Sequence, residues 1–146
     1  MPKPRPTIVV VDDDASMNQA IERLLNATGY RALTFPSAEA LLEADVPSDT
    51  ACLVFDVHLP GLSGFELYQR LVRNGTDLPV IFITAYDDPD SQARANSAGA
   101  MAYLTKPFPG QKLIAAICRA IGSSPAETSS GKNKIFAPKP PDASNQ

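Results

Sequence analysis

The sequence predicts an α/β fold, a doubly wound five-stranded parallel sheet covered by five helices. Five short apolar runs, Ile8–Val11, Ala32–Phe35, Cys52–Phe55, Val80–Ile83 and Met101–Leu104, alternate with five segments of helical character. The first, third and fourth runs are almost continuously apolar, as strands covered on both faces are, whereas half-exposed antiparallel strands alternate. Strand–helix alternation calls for right-handed crossovers, and so for parallel strands.

The elements follow in order. After the first run, Met17, Ala20, Ile21, Leu24, Leu25 and Thr28 fall at i, i+3, i+4 and i+7 spacing, and Gly29 stops that helix. Beyond the second run, Ser37 can cap a helix carrying Leu41 and Leu42. Past the third, Ser63 and Glu66 have capping-box spacing ahead of Leu67, Leu71 and Val72. Asp88-Pro89 supplies a cap and a first turn for a helix ending near Gly99. That helix is mostly Ala, Ser and Asn, so a weak grip on the core is expected. The last helix, Gln111–Ile121, is expected to bury Leu113, Ile114, Ile117 and Ile121. There is no internal repeat. From Gly122 the composition turns to Ser, Pro, Lys and Asn, which reads as a flexible linker or tail. The expected organisation is an N-terminal extension over 1–6, one domain over 7–121 and a tail over 122–146. Ile135-Phe136 is the tail's single bulky apolar pair, and an untethered tail is the expectation.

Composition narrows the function. A chain of 146 residues with 44% hydrophobic and 20% charged residues has the balance of a soluble domain with a real core. A net charge of −3 gives no reason to expect direct nucleic-acid binding. No apolar run approaches the ~18 residues of a membrane helix, and the start lacks the apolar region of a signal peptide. Cys52 and Cys118 have no metal-ligand spacing and read as buried free thiols in a reducing compartment. A cytoplasmic location is expected.

The chemistry gathers at the strand ends. In open α/β sheets the site lies at the carboxyl ends of the strands. The first strand ends in Asp12-Asp13-Asp14, the third in Asp56 and the fourth in Thr84, and the fifth is followed by Thr105-Lys106-Pro107. Asp12, Asp13 and Asp56 carry −3 and Lys106 carries +1, which leaves −2 for one divalent cation to neutralise. Mg²⁺ suits an all-oxygen site of this kind. An aspartate can attack phosphorus to form an acyl phosphate, a transfer that needs positioning and charge neutralisation above all. A hydroxyl at Thr84 could hydrogen-bond a phosphoryl oxygen. Each residue alone has an ordinary reading: Asp14 as a helix cap, Asp56 as the start of a turn, Thr84 as a satisfied strand-end hydroxyl, Lys106 as a surface lysine. Their joint placement is the specific signal.

These residues carry a resemblance. Val9-Val10-Val11-Asp12-Asp13, Phe55-Asp56-Val57-His58-Leu59-Pro60-Gly61-Leu62-Ser63-Gly64, Ile83-Thr84-Ala85 and Lys106-Pro107-Phe108, in this order and spacing, resemble the receiver domains of two-component response regulators over about residues 7–121. Pro36-Ser37-Ala38-Glu39 and Thr84-Ala85-Tyr86-Asp87-Asp88 are most similar to the FixJ subfamily. The resemblance implies a flavodoxin-like sheet in the order 2-1-3-4-5. It implies Asp56 as phosphoacceptor, with a phosphohistidine on a sensor kinase as donor. Asp12, Asp13 and the backbone carbonyl of His58 would hold Mg²⁺, and Thr84 and Lys106 would bind the phosphoryl group. The Lys106–Pro107 bond would be cis. Thr84 and Tyr103 would form the switch, and His58 and Tyr86 would tune hydrolysis.

The resemblance also implies an output of changed binding, to itself or a partner, through the surface from the fourth helix across the fifth strand to the fifth helix. An enzyme acting beyond its own phosphorylation and slow dephosphorylation is not expected. An alternative is the receiver of a transcription factor whose helix-turn-helix effector is absent from this chain, because residues 122–146 are too few for one. A remote alternative is a haloacid dehalogenase-like phosphatase. Those enzymes place an Asp-x-Asp nucleophile after the first strand beneath a cap element, whereas Asp56 follows the third run and no cap insertion is present.

Overall fold

The computed structural model describes residues 5–122. The order of elements is β1 (Thr7–Val11), α1 (Ala15–Ala27), β2 (Arg31–Phe35), α2 (Ala38–Ala44), β3 (Thr50–Asp56), α3 (Gly64–Arg73), β4 (Val80–Thr84), α4 (Pro89–Ser97), β5 (Ala102–Thr105) and α5 (Gly110–Ile121). All strand pairs are parallel, and the sheet runs β2-β1-β3-β4-β5. The expected fold, topology included, is the observed one.

Alternating side chains divide the core into two layers. Val9, Val11, Leu53, Phe55, Val80 and Phe82 face α2, α3 and α4. Ile8, Val10, Cys52, Val54, Ile81 and Ile83 face α1 and α5. Both faces of the sheet are buried at these strands, which is why β1 and β4 are apolar at nearly every position. Each fully buried Phe, Leu or Ile contributes about 1.5–3 kcal/mol relative to exposure. Phe82 also holds α3 in place: its ring lies 4.7 Å from Phe65 and 6.1 Å from Tyr68, centroid to centroid. By contrast, α4 buries only Ser91 and Ala95 and adds the Arg94 guanidinium, 4.6 Å from the centre of the Phe65 ring. The weak grip expected for this helix is therefore present.

Helix starts follow the sequence signals. Ser37 accepts from the Ala40 amide, Asp88 accepts from the Ser91 amide, and Ser63 and Glu66 form the full capping box. Some details differ. β5 begins at Ala102, and the Met101 side chain is 42% exposed, because only the Met101 amide joins the sheet, donating to the Val80 carbonyl. On α5, Leu113, Ala116 and Ile117 are buried, while Ile114 and Ile121 flank that stripe and are only partly covered. On α1, Ala20 and Thr28 are exposed, and Thr28 is the C-cap. Both cysteines are free, but only Cys52 is buried; Cys118 is half-buried beside the Tyr30 hydroxyl at 3.2 Å. The tail from residue 123, with Ile135-Phe136, lies outside the described residues.

Candidate functional site

Sheet register brings the strand ends level. Val11 pairs with Phe55, so the next residues, Asp12 and Asp56, stand side by side past the end of β1 and at the end of β3. Asp56 pairs with Ile83, and Thr84 with Thr105, so Thr84 and Lys106 follow at the same edge. The four strand ends singled out in the sequence therefore meet.

The acidic triplet divides its work. Asp12 is fully buried, and its Oδ1 accepts the Asp14 amide at 2.8 Å. Asp14 is the exposed N-cap of α1, accepting from the Ser16 and Met17 amides. Asp13 is exposed at the rim. Carboxylate oxygens of Asp12, Asp13 and Asp56 all lie within 4.8 Å of one another.

Asp56 is 4% exposed. Its Oδ1 accepts the His58 amide at 3.1 Å and its Oδ2 accepts Lys106 Nζ at 3.3 Å. Lys106 Nζ also donates to Asp12 Oδ2 at 2.8 Å. The Lys106 amide bonds the Thr84 carbonyl at 2.7 Å, and the Lys106–Pro107 peptide is cis. Burial pushes the Asp56 carboxyl above its ordinary pKa, and Asp12 adds to the rise, against the opposing His58 amide and Lys106. Burial works against the charge on Lys106, but the two carboxylates outweigh it and its pKa rises. One lysine thus leaves the carboxylates short of positive charge. Three close oxygen ligands with uncompensated negative charge fit a hard divalent cation such as Mg²⁺.

Thr84 is buried, but its hydroxyl is engaged with the Tyr86 backbone and makes no hydrogen bond to Asp56 or Lys106. The Tyr103 ring packs on the α2–α3–α4 layer, and its hydroxyl is buried near Ser91 and Asp87. Burial, then the nearby Asp87 carboxylate, raises the pKa of that hydroxyl. His58 and Tyr86 lie on the two loops beside Asp56 and Thr84, with rings edge to face at 5.7 Å. Both are exposed, so this pair stands at the rim.

The sequence reading missed two supports. Asn18 is buried on α1, and its Nδ2 donates to the Asp12 carbonyl at 2.8 Å and the Phe35 carbonyl at 3.3 Å, tying the ends of β1 and β2 together. A polar residue inside the apolar periodicity of the helix was the available signal. Gly64 opens α3 against Asp56: a Cβ there would lie 2.3 Å from the Asp56 carbonyl oxygen. The glycine lets the helix start directly beneath the end of β3.

The family model described as the response regulator receiver domain matches residues 8–118. The chain belongs to this receiver family. Nodulation protein W of Bradyrhizobium diazoefficiens is 40% identical over 113 residues, 77% of this chain and 50% of that protein. The transcriptional regulatory protein FixJ of Azorhizobium caulinodans is 37% identical over 124 residues, 85% of this chain and 58% of that protein. The receiver is thus FixJ-like, and it spans about half the length of the curated relatives it matches. Among solved structures, a response regulator receiver protein from Burkholderia phymatum superposes with a TM-score of 0.70 at 43% identity, over 81% of this chain and 96% of that one.

Proposed function

We propose that this receiver takes a phosphoryl group from the phosphohistidine of a sensor histidine kinase onto Asp56. The observation that carries the reading is the buried Asp56 carboxylate, flanked by Asp12 and Asp13 and hydrogen-bonded by Lys106. In the transfer an Asp56 oxygen forms the new bond to phosphorus while the phosphorus–nitrogen bond of the donor breaks, and the donor imidazole keeps the electron pair. Mg²⁺, held by Asp12, Asp13, Asp56 and the His58 carbonyl, would supply positive charge to the phosphoryl oxygens. Lys106 is already aimed at the acceptor oxygen and adds a second positive charge. The His58 amide fixes the other oxygen and so orients the carboxylate.

Thr84 is the hydroxyl that turns to the bound phosphoryl group, and Tyr103 is its partner in the switch. The output is a change of contacts through the α4–β5–α5 surface, to a second copy or to another protein, because α4 is the least anchored helix. The edge-to-face pair of His58 and Tyr86 controls how water reaches the acyl phosphate. Beyond its own phosphorylation and slow dephosphorylation the domain is not an enzyme. A cytoplasmic location accords with a kinase partner; among the described residues no helix is long and apolar enough to cross a membrane. A second reading is the receiver of a DNA-binding regulator, favoured by two relatives that are named as transcriptional regulatory proteins and are about twice the length of the matched region.

Purified protein given Mg²⁺ and acetyl phosphate should gain one acid-stable, base-labile phosphoryl group, and Asp56→Asn should gain none. Labelling that persists in the variant would place the acceptor elsewhere. His58→Ala and Tyr86→Ala should change the phosphorylated lifetime; if neither does, the rim pair has no part in hydrolysis.

A further inference from the structure

We infer that Glu39 is a positioning residue, a carboxylate on α2 that fastens the loop carrying the His58 carbonyl and so holds the cation site in shape. The inference rests on the reading of that carbonyl as a metal ligand.

The loop between Asp56 and Ser63 is tied at both ends. Near β3, the Val57 amide donates to the Ile83 carbonyl at 2.8 Å and the Gly64 amide to the Val57 carbonyl at 3.0 Å. Near α3, Ser63 is held by the capping box. Residues 59–62 between them receive one hydrogen bond from elsewhere among the described residues: the Leu62 amide donates to Glu39 Oε2 at 3.1 Å, across 23 positions of sequence.

A second observation points to the same contact. Gly61 has φ +77, and a Cβ built there would lie 2.7 Å from Glu39 Oε2 and 3.3 Å from its Cδ. The turn therefore needs glycine for its left-handed backbone, and the Glu39 carboxylate lies close against it. The Leu62 amide is also the largest cause of a lowered Glu39 pKa, so the bond favours the ionised form. Glu39 is in the first turn of α2, just beyond the end of β2. That is the sheet edge on which Asp12 and Asp56 stand, so the fastener and the site share one rim. A neutral carbonyl binds a hard cation well only when it is already in place, because ordering a loose loop subtracts from binding.

The test uses the described protein with Mg²⁺ alone as probe. Mg²⁺ affinity is read by amide shift titration, loop opening by hydrogen exchange at Leu62, and folding by thermal melting. Glu39→Ala should weaken Mg²⁺ binding about two- to tenfold, the worth of one net hydrogen bond. It should also speed exchange at Leu62 while leaving the melting temperature nearly unchanged. Glu39→Gln keeps an acceptor oxygen and should recover part of the affinity. Gly61→Ala should weaken Mg²⁺ binding in both the wild-type and the Glu39→Ala backgrounds, because the strain it puts on the left-handed backbone does not depend on the Glu39 carboxylate. Unchanged Mg²⁺ affinity in Glu39→Ala, with Asp13→Asn abolishing binding as a control, overturns the positioning role and leaves the site intact. Absence of Mg²⁺ binding in the wild type overturns both.

Discussion

The Thr84 hydroxyl is closed on the backbone of Tyr86, donating to its carbonyl at 2.9 Å and accepting from its amide at 3.0 Å. A hydroxyl that must reach a phosphoryl group on Asp56 has to give up both bonds, and the loop bearing Tyr86 is then free to move. Thr84→Ala should still be phosphorylated at Asp56, but the amide resonances of α4 should no longer shift when the phosphoryl group arrives. Its stability should fall by about 1 kcal/mol for the lost hydroxyl contacts. Thr84→Ser should restore both properties.

Asp56 is held in an environment that disfavours its charge. Its folded pKa lies above the ordinary 3.8, chiefly through burial. A raised carboxyl pKa contributes stability that is fully present below the unfolded value and is lost as pH rises through the folded one. At neutral pH without metal, ionised Asp56 therefore weakens the fold. Asp56→Asn should melt at a higher temperature than the wild type at pH 7 in chelator. The gap should close as the pH falls toward 3.8, the ordinary value. A gap that is constant from acid to neutral pH would contradict the assignment.

Gly64 has no room for a side chain, since a Cβ would meet the Asp56 carbonyl oxygen at 2.3 Å, a backbone atom that cannot rotate away. Gly64→Ala should destabilise the domain by about 1–3 kcal/mol, as overpacking does. Because the displaced group is the carbonyl of Asp56, the proposed acceptor, the phosphorylation rate should fall even where the variant is fully folded. Melting curves and timed labelling with acetyl phosphate would check this.

The Tyr103 hydroxyl is buried, with Ser91 and Asp87 as its polar neighbours. Tyr103→Phe removes it without opening a cavity, so the variant should lose no more than about 1 kcal/mol and should accept phosphoryl at the same rate. Tyr103→Ala should leave a cavity on the α4 face and lower stability by about 3 kcal/mol or more.

Much of the fold was legible because the signals are local. Val9, Phe55 and Phe82 had to be apolar in strands buried on both faces, and that density is visible in a few consecutive residues. Helix starts at Ser63 and Asp88 were legible for the same reason, since a cap and its target amide are three positions apart. Even the site was legible in outline, because parallel strands end on one edge and Asp12, Asp56, Thr84 and Lys106 each follow a strand. Met101, Ile114 and Ile121 went astray because a run's limits and a stripe's edges depend on neighbouring elements.

By itself, then, the sequence determined the parallel α/β arrangement, the residues that end its strands, and an excess of negative charge among them. Only the tertiary structure decided that Asp12 turns into the core while Asp13 stays at the rim. It alone joined Lys106 to carboxylates 94 and 50 positions away. It also placed Glu39 on Leu62, set Asn18 between two strand ends, and directed the Thr84 hydroxyl to Tyr86. The physical reason is the range of the forces involved. Periodicity and capping act over one turn or one pleat, whereas these contacts exist only once packing across the sheet has brought distant segments within hydrogen-bond distance.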